Sequence, residues 1–261
     1  MGILNRTPDS FFDGGATFRL DDLLARAEQL VAEGADLLDI GGVKAGPGPE
    51  VTEAEELDRL IPAIEGLRDR LDVALSADTW RAAVLDEACN AGAVVGNDIS
   101  GFADPDYLAV AAKHDASVVA THIRLEPRVP DPDPHYDDLV PEVLEFLLDR
   151  ARRAETAGLG RDQIAIDAGL DLGKTPTMSA VLLRESDVLA RSGFTLLLSA
   201  SNKRFLGELL DLAIDERRDA SLAAVAYGVA HGCRIVRVHD VAGSVRVCRT
   251  VEAVLAVGDA G

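Results

Sequence analysis

The chain has 261 residues, 48% of them hydrophobic, which is enough apolar material for one sizeable core. Its 45 acidic residues against 26 basic ones give a net charge of −19, a balance that excludes general binding of nucleic acid or of an anionic membrane. No apolar run reaches transmembrane length, and the first residues lack a basic patch followed by an apolar stretch, so a soluble, cytoplasmic protein without nucleic-acid or membrane partners is expected.

In chain order, short β-prone runs fall at 2–5, 36–40, 73–78, 94–98, 117–122, 164–167, 195–199 and 235–239. Met1 stands almost on the first run, so that strand is expected to be short or to have lost residues before it. The segments between the runs have helical spacing, with Leu23, Ala27, Leu30 and Val31 in the first and Leu57, Ile61, Ile64 and Leu67 in the second. No linker or low-complexity block divides the chain, so residues 1–261 read as a single domain. Eight strand-then-helix units fit an α/β fold of the (β/α)8 TIM-barrel type, and they also fit a doubly wound sheet. The placement of polar residues favours the barrel. Each run ends at or beside one: Asn5, Asp39, Asp78, Asn97 with Asp98, His122, Asp167, Ser199 with Ser201, and His239. A closed barrel gathers all eight ends around one mouth.

Cys89, Cys233 and Cys248 are scattered and lack C-x-x-C spacing, so they read as small apolar residues of a reducing compartment. The opening strand leads into a Pro/Asp/Gly loop at 6–15 able to close over a ligand. Asn5 offers a neutral amide oxygen of the kind that helps hold a Mg²⁺ brought in by a diphosphate, or simply forms a turn. Asp78, Asn97 and Asp167 suit a 2-amino-4-oxo pyrimidine face, because a carboxylate accepts two adjacent N–H groups and an Asn both donates and accepts. Asp78 is equally suited to cap a helix. The segment from Gly169 to Thr175 approaches a P-loop but has three residues between its glycines where the motif needs four, which excludes that assignment. Lys203 is one of only four lysines and lies just past the seventh run, where it donates to a ligand ring or sits at a helix end. Arg237 and His239, two apart on the eighth run, share one side of the strand. Facing inward they form an anion site; facing outward they would turn Val236 and Val238 in. The loop 127–138 reads as solvated and stiffened by proline.

Taken in order, Asn5 with Thr7-Pro-Asp-Ser-Phe, Asp39-Ile-Gly-Gly42, Ser76-Ala-Asp78-Thr, Asn97-Asp-Ile-Ser-Gly101, Asp167-Ala-Gly with Gly173-Lys-Thr, Ser201-Asn-Lys203 and Arg237-Val-His239-Asp-Val resemble the dihydropteroate synthase family of pterin-binding barrels over essentially the whole chain. The resemblance implies joining of 6-hydroxymethyl-dihydropterin diphosphate to p-aminobenzoate with Mg²⁺ as cofactor. It implies Asp78, Asn97, Asp167 and Lys203 at the pterin, Asn5, Arg237 and His239 at the diphosphate, Asn5 at the metal, and Lys203, Arg237 and His239 as the catalytic set. It also implies a homodimer. The departures cluster. Where the family carries Gly-Gly-Glu-Ser-Thr-Arg-Pro-Gly, this chain has Gly-Gly-Val43-Lys44-Ala45-Gly46-Pro-Gly; the Arg of Ser-Arg-Lys is Asn202; Ala168, Asp171 and Leu172 replace Pro, Gly and Phe; and Arg6 replaces a small apolar residue. The chain thus resembles the divergent second paralogue of some actinobacteria, for which weak or lost synthase activity is expected, the alternative being a regulatory pterin- or diphosphate-binding protein. A corrinoid methyltransferase of the same barrel type fits the Ser-x-Lys and Arg-Val-His motifs less well.

Overall fold

The structure, a computed structural model, describes residues 1–7 and 18–257. The Pro/Asp/Gly loop expected after the first strand falls largely outside them. All eight expected strands form, as β1 (Gly2–Asn5), β2 (Leu37–Gly41), β3 (Ala74–Asp78), β4 (Val95–Asp98), β5 (Ser117–Thr121), β6 (Ile164–Asp167), β7 (Thr195–Leu198) and β8 (Ile235–Val236). They pair in parallel in sequence order. The last returns to the first through a Gly2↔Val238 bridge, with Val238 N–H donating to Met1 O at 2.9 Å and Ile3 N–H to Val238 O at 3.1 Å, so the sheet closes as a (β/α)8 barrel.

The helices are α1 (Leu20–Ala32), α2 (Glu53–Arg68), α3 (Ala82–Ala91), α4 (Tyr107–Lys113), α5 (Leu139–Thr156), α6 (Pro176–Arg184), α7 (Ser186–Ala190), α8 (Arg204–Leu210), α9 (Arg218–Ala230) and α10 (Val241–Ala256). Local chemistry sets several starts. Thr52 Oγ1 accepts from Glu55 N–H at α2, Thr175 Oγ1 accepts from Met178 N–H just ahead of Pro176 at α6, and Asp240 Oδ1 accepts from Gly243 N–H at α10. In α1 the buried face is Leu23, Leu24, Ala27 and Leu30, close to the expected stripe. In α2 it is Leu60, Ala63, Ile64 and Leu67, while Leu57 and Ile61 sit at its half-buried margin. Pro62 leaves the Asp58 carbonyl without its helical donor. Arg6 fills that gap, donating from Nη1 to Asp58 O at 3.2 Å and to Arg59 O at 2.7 Å, so this departure from the family pattern points at α2.

Strand alternation sorts the barrel interior from its coat. Leu38, Ile40, Leu75, Ala77, Val118, Ala120, Ile164, Ile166, Leu196 and Leu198 pack outward under the helices. Inside, Val119, Ala165 and Leu197, with Met1, Val95 and Ile235 packed on them, form an apolar floor. Val238 joins the outer cluster, which settles the two orientations left open for β8 and turns Arg237 inward. The three cysteines are free, Cys233 buried and the other two half-buried. Among the described residues no helix is long and apolar enough to cross a membrane.

Candidate functional site at the barrel mouth

Above the apolar floor, the strand ends and the loops following them enclose a cavity of about 470 Å³. Every residue expected at the site lines it: Asn5, Asp78, Asn97, Asp167, Lys203, Arg237 and His239, together with Ala45, Gly46 and Asn202 of the altered half. Three other strand-end residues do not. Asp39 is wholly buried beneath the cavity. Asp98 points out of the barrel and accepts from the Ser100 and Phe102 N–H groups at 2.6 and 2.9 Å. His122 also turns away and leaves Thr121 to line the cavity at β5. Asp98 and His122 each follow an inward residue and so face outward by strand alternation, whereas Asp39 faces inward but lies too deep to reach the cavity.

Arg237 is the centre of the charge network. Its Nε donates to Asp39 Oδ2 at 2.5 Å and its Nη2 to Asp78 Oδ2 at 2.8 Å. Asp39 also accepts from Ser76 Oγ at 2.6 Å and from Asn97 Nδ2 at 3.0 Å. A cation expected to stand open to an anionic ligand is therefore already engaged by two carboxylates, leaving Nη1 for a ligand. Asp39 is the residue that the sequence reading missed as its holder. Burial pushes Asp78 up to about 7 against the pull of Arg237, with Asp39 and Glu56 adding to the rise. Arg237 itself is raised, because Asp39 and Asp78 outweigh its own burial.

The other polar wall is Asp167 with Lys203. Burial raises Asp167, opposed by Lys203, and its Oδ1 accepts from Gly169 N–H at 2.8 Å. Burial lowers Lys203, opposed by Asp167 and Asp171, and its Nζ donates to Leu170 O at 2.6 Å. The loop 169–174 is gripped from behind as well. Lys174, buried, donates to Gly169 O and Leu172 O at 2.9 Å each and lies 2.8 Å from His122 Nδ1. Burial pushes Lys174 down to about 7, and burial together with Lys174 takes His122 down to about 2. The exclusion of a P-loop thus has a structural counterpart, since this lysine binds its own loop. Gly169 is required there: its φ is +64°, and a Cβ would stand 1.9 Å from His122 O. The loop 127–138 is docked against it through Tyr136 Oη donating to Gly173 O at 2.8 Å, and an Arg124–Asp131 ion pair ties the same loop to the segment after β5. Just past the last strand, His239 Nδ1 lies 3.0 Å from Ser201 Oγ.

The altered loop after β2 places Val43, Lys44, Ala45, Gly46 and Pro47 along the cavity. Lys44 runs alongside position 46, its Cε 3.8 Å from where a Cβ on Gly46 would be. The loop is tied down by Arg59 donating to Gly42 O at 2.9 Å, by Arg81 to Val51 O at 2.8 Å, and by Arg128, whose N–H reaches Ala45 O at 3.2 Å and whose guanidinium reaches Pro49 O. Asn202 adopts φ +57°, accepts at Oδ1 from Ser221 Oγ at 3.3 Å, and turns its carbonyl to Arg217. Neither Arg128 nor Arg217 carried a signal in the sequence. As for a metal, no group of three His, Cys, Asp or Glu side chains among the described residues is placed to hold one. The donor chemistry at Asn5, one neutral amide oxygen, fits a cation whose remaining ligands arrive with a substrate and not a resident ion.

A closed (β/α)8 barrel with a polar cavity built from strand ends at its C-terminal mouth defines the class: a barrel protein with the site architecture of the small-molecule-binding (β/α)8 barrels. The chain belongs to the dihydropteroate synthase family of pterin-binding enzymes. The profile described as pterin binding enzyme matches residues 1–239. The chain is 40% identical over 260 residues to the dihydropteroate synthase of Bacillus subtilis, covering 99% of this chain and 89% of that protein. It is 43% identical over 260 residues to the inactive dihydropteroate synthase 2 of Mycobacterium leprae, covering 97% of this chain and 89% of that protein. A Yersinia pestis dihydropteroate synthase solved as a sulfonamide drug complex superposes with a TM-score of 0.95 at 38% identity, covering 99% of this chain and 94% of that one.

Proposed function

We propose that the cavity binds a pterin diphosphate and that the synthase reaction on it is weak or lost. The observation carrying this reading is that Ala45, Gly46 and Asn202 line the same cavity as the intact set Asp78, Asn97, Asp167 and Lys203. The pterin half keeps its donors and acceptors, while the p-aminobenzoate half lacks the Thr hydroxyl and the Arg guanidiniums that the family pattern places there. In the family reaction the methylene C–O bond breaks with its electron pair leaving on the diphosphate. The aniline nitrogen then bonds that carbon and sheds a proton. The protein's part is to position the reactants and stabilise charge, without a covalent nucleophile. Here Asp167 and Asp78 would accept pterin N–H groups, and Lys203 would donate to the ring. Asn97, whose Nδ2 is engaged by Asp39, would offer its amide oxygen. Arg237 Nη1 and His239 would take the diphosphate. Asn5 would help hold a Mg²⁺ arriving with it, whose chemistry is to neutralise charge on the leaving group.

Loss of one guanidinium that organises the reacting groups costs roughly a hundredfold or more in rate. Purified protein given both substrates is therefore expected to turn over at least a hundredfold more slowly than an ordinary synthase, and equal rates would overturn the reading. The triple replacement Ala45→Thr, Gly46→Arg and Asn202→Arg is expected to raise turnover. At Gly46 a Cβ meets, among the described residues, only Lys44 Cε, at the ordinary contact distance of 3.8 Å. The second reading, a regulatory binder, is favoured if pterin diphosphate binds by calorimetry while no variant turns over.

A further inference from the structure

Three arginines line the cavity, and two of them face carboxylates: Arg237 is held by Asp39 and Asp78, and Arg204 pairs with Glu208 at 3.3 Å. Arg217 differs. Its Nε donates to Leu212 O and its Nη1 to Asn202 O, each at 3.2 Å, and among the described residues no carboxylate lies within 4.0 Å of it. In a chain with 45 acidic residues and 26 basic ones, that is an unusual state for a half-buried guanidinium. Its position is built. The left-handed backbone of Asn202 aims the carbonyl that receives Nη1. Gly207 of α8 provides the seat, because a Cβ there would stand 2.3 Å from Nη2 and 2.4 Å from Cζ and Nε. Two carbonyls orient a guanidinium without neutralising it, and with the single Nε proton spent on Leu212 O, a carboxylate is the ligand group that would neutralise it through the remaining Nη N–H groups. Val43, Pro47 and Leu172 line the same cavity and suit an apolar body.

We propose that Arg217 reads a carboxylate on the second ligand of this cavity, an organic anion with a flat apolar body, and that the bare Cα of Gly207 serves as its seat. The assignment rests on the two-ligand reading of the cavity given above. Arg217 takes over the anion recognition that the loop after β2, with Ala45 and Gly46, does not supply.

The test is calorimetry with two probes of the same shape, p-aminobenzoate and its uncharged carboxamide, on protein preloaded with 6-hydroxymethylpterin, which lacks a leaving group. The native protein is expected to prefer the carboxylate at least tenfold, and that preference is expected to shrink with added salt. Arg217→Met should abolish the preference. Gly207→Ala keeps the arginine but displaces its guanidinium, and should reduce the preference several-fold while pterin affinity stays unchanged. Equal affinity of the native protein for the two probes, or binding of neither, overturns the proposal, as does a preference retained by folded Arg217→Met. If Arg217→Met fails to fold, Gly207→Ala and the salt dependence of the native protein decide. The preloading titration reports separately on the reading of the pterin half. Failure there, with carboxylate preference still present in the unloaded protein, would sink that reading and leave Arg217 standing.

Discussion

Replacing Asp78 with Asn is expected to stabilise the protein, and to do so more strongly as the pH rises. Asp78 is half-buried at the cavity, its desolvation is opposed mainly by Arg237, and its pKa is pushed up to about 7 against 3.8 for an ordinary Asp. Between those values the folded chain holds a proton that the unfolded chain has released, so folding stability falls as pH rises from about 4 through about 7. The loss amounts to about 2 kcal/mol near pH 5.5 and about 4 kcal/mol near pH 8.5. An Asn mimics the protonated carboxyl and does not titrate. Its amide oxygen can still accept from Arg237, which keeps its 2.5 Å contact to Asp39. With a urea m-value of about 3 kcal/mol/M, the variant's unfolding midpoint should exceed that of the native chain by roughly 0.7 M near pH 5.5 and roughly 1.3 M near pH 8.5. The same variant should bind pterin more weakly, so that stability and binding move in opposite directions. A midpoint at or below the native value near pH 8.5 would refute the reasoning, because it would mean that the Arg237 ion pair outweighs the desolvation of Asp78.

Lys174→Met should remove a second pH dependence of the opposite sense. Burial pushes Lys174 down to about 7 from 10.5, so the native chain gains stability as pH rises through that interval, by up to about 1.4 kcal/mol per unit, and the variant should show no such gain in urea midpoints. Gly169→Ala should cost about 3 kcal/mol or more in thermal or urea unfolding, since it combines a left-handed φ with a 1.9 Å clash on His122 O; a loss below about 1 kcal/mol would mean that the loop readily shifts. Arg128→Ala releases the contact to Pro49 O and should speed proteolytic cutting within 44–52 while changing global stability by less than about 1 kcal/mol. Equal cutting rates would show that Arg59 and Arg81 suffice to hold that loop.

Much of this protein is written in local sequence. Eight apolar runs separated by amphipathic segments encode the strands and helices, because side-chain period alone decides which elements can bury a face. The motif residues Asn5, Asp78, Asn97, Asp167, Lys203, Arg237 and His239 all reach one cavity, because a closed barrel brings every strand end to the same mouth. Tertiary structure alone decided the rest. Asn97 faces in while Asp98 faces out, and Thr121 replaces His122 at the cavity, because these choices follow from register and not from residue type. The charge state of the mouth depends on Arg237 meeting Asp39, 198 positions away, and Asp78, 159 positions away. Arg6 proves to answer the carbonyl freed by Pro62, and Arg217 to be set by the backbone of Asn202 and the bare face of Gly207. Such pairings join residues far apart in the chain, and no period within one segment can carry them; they exist once the eighth strand closes on the first.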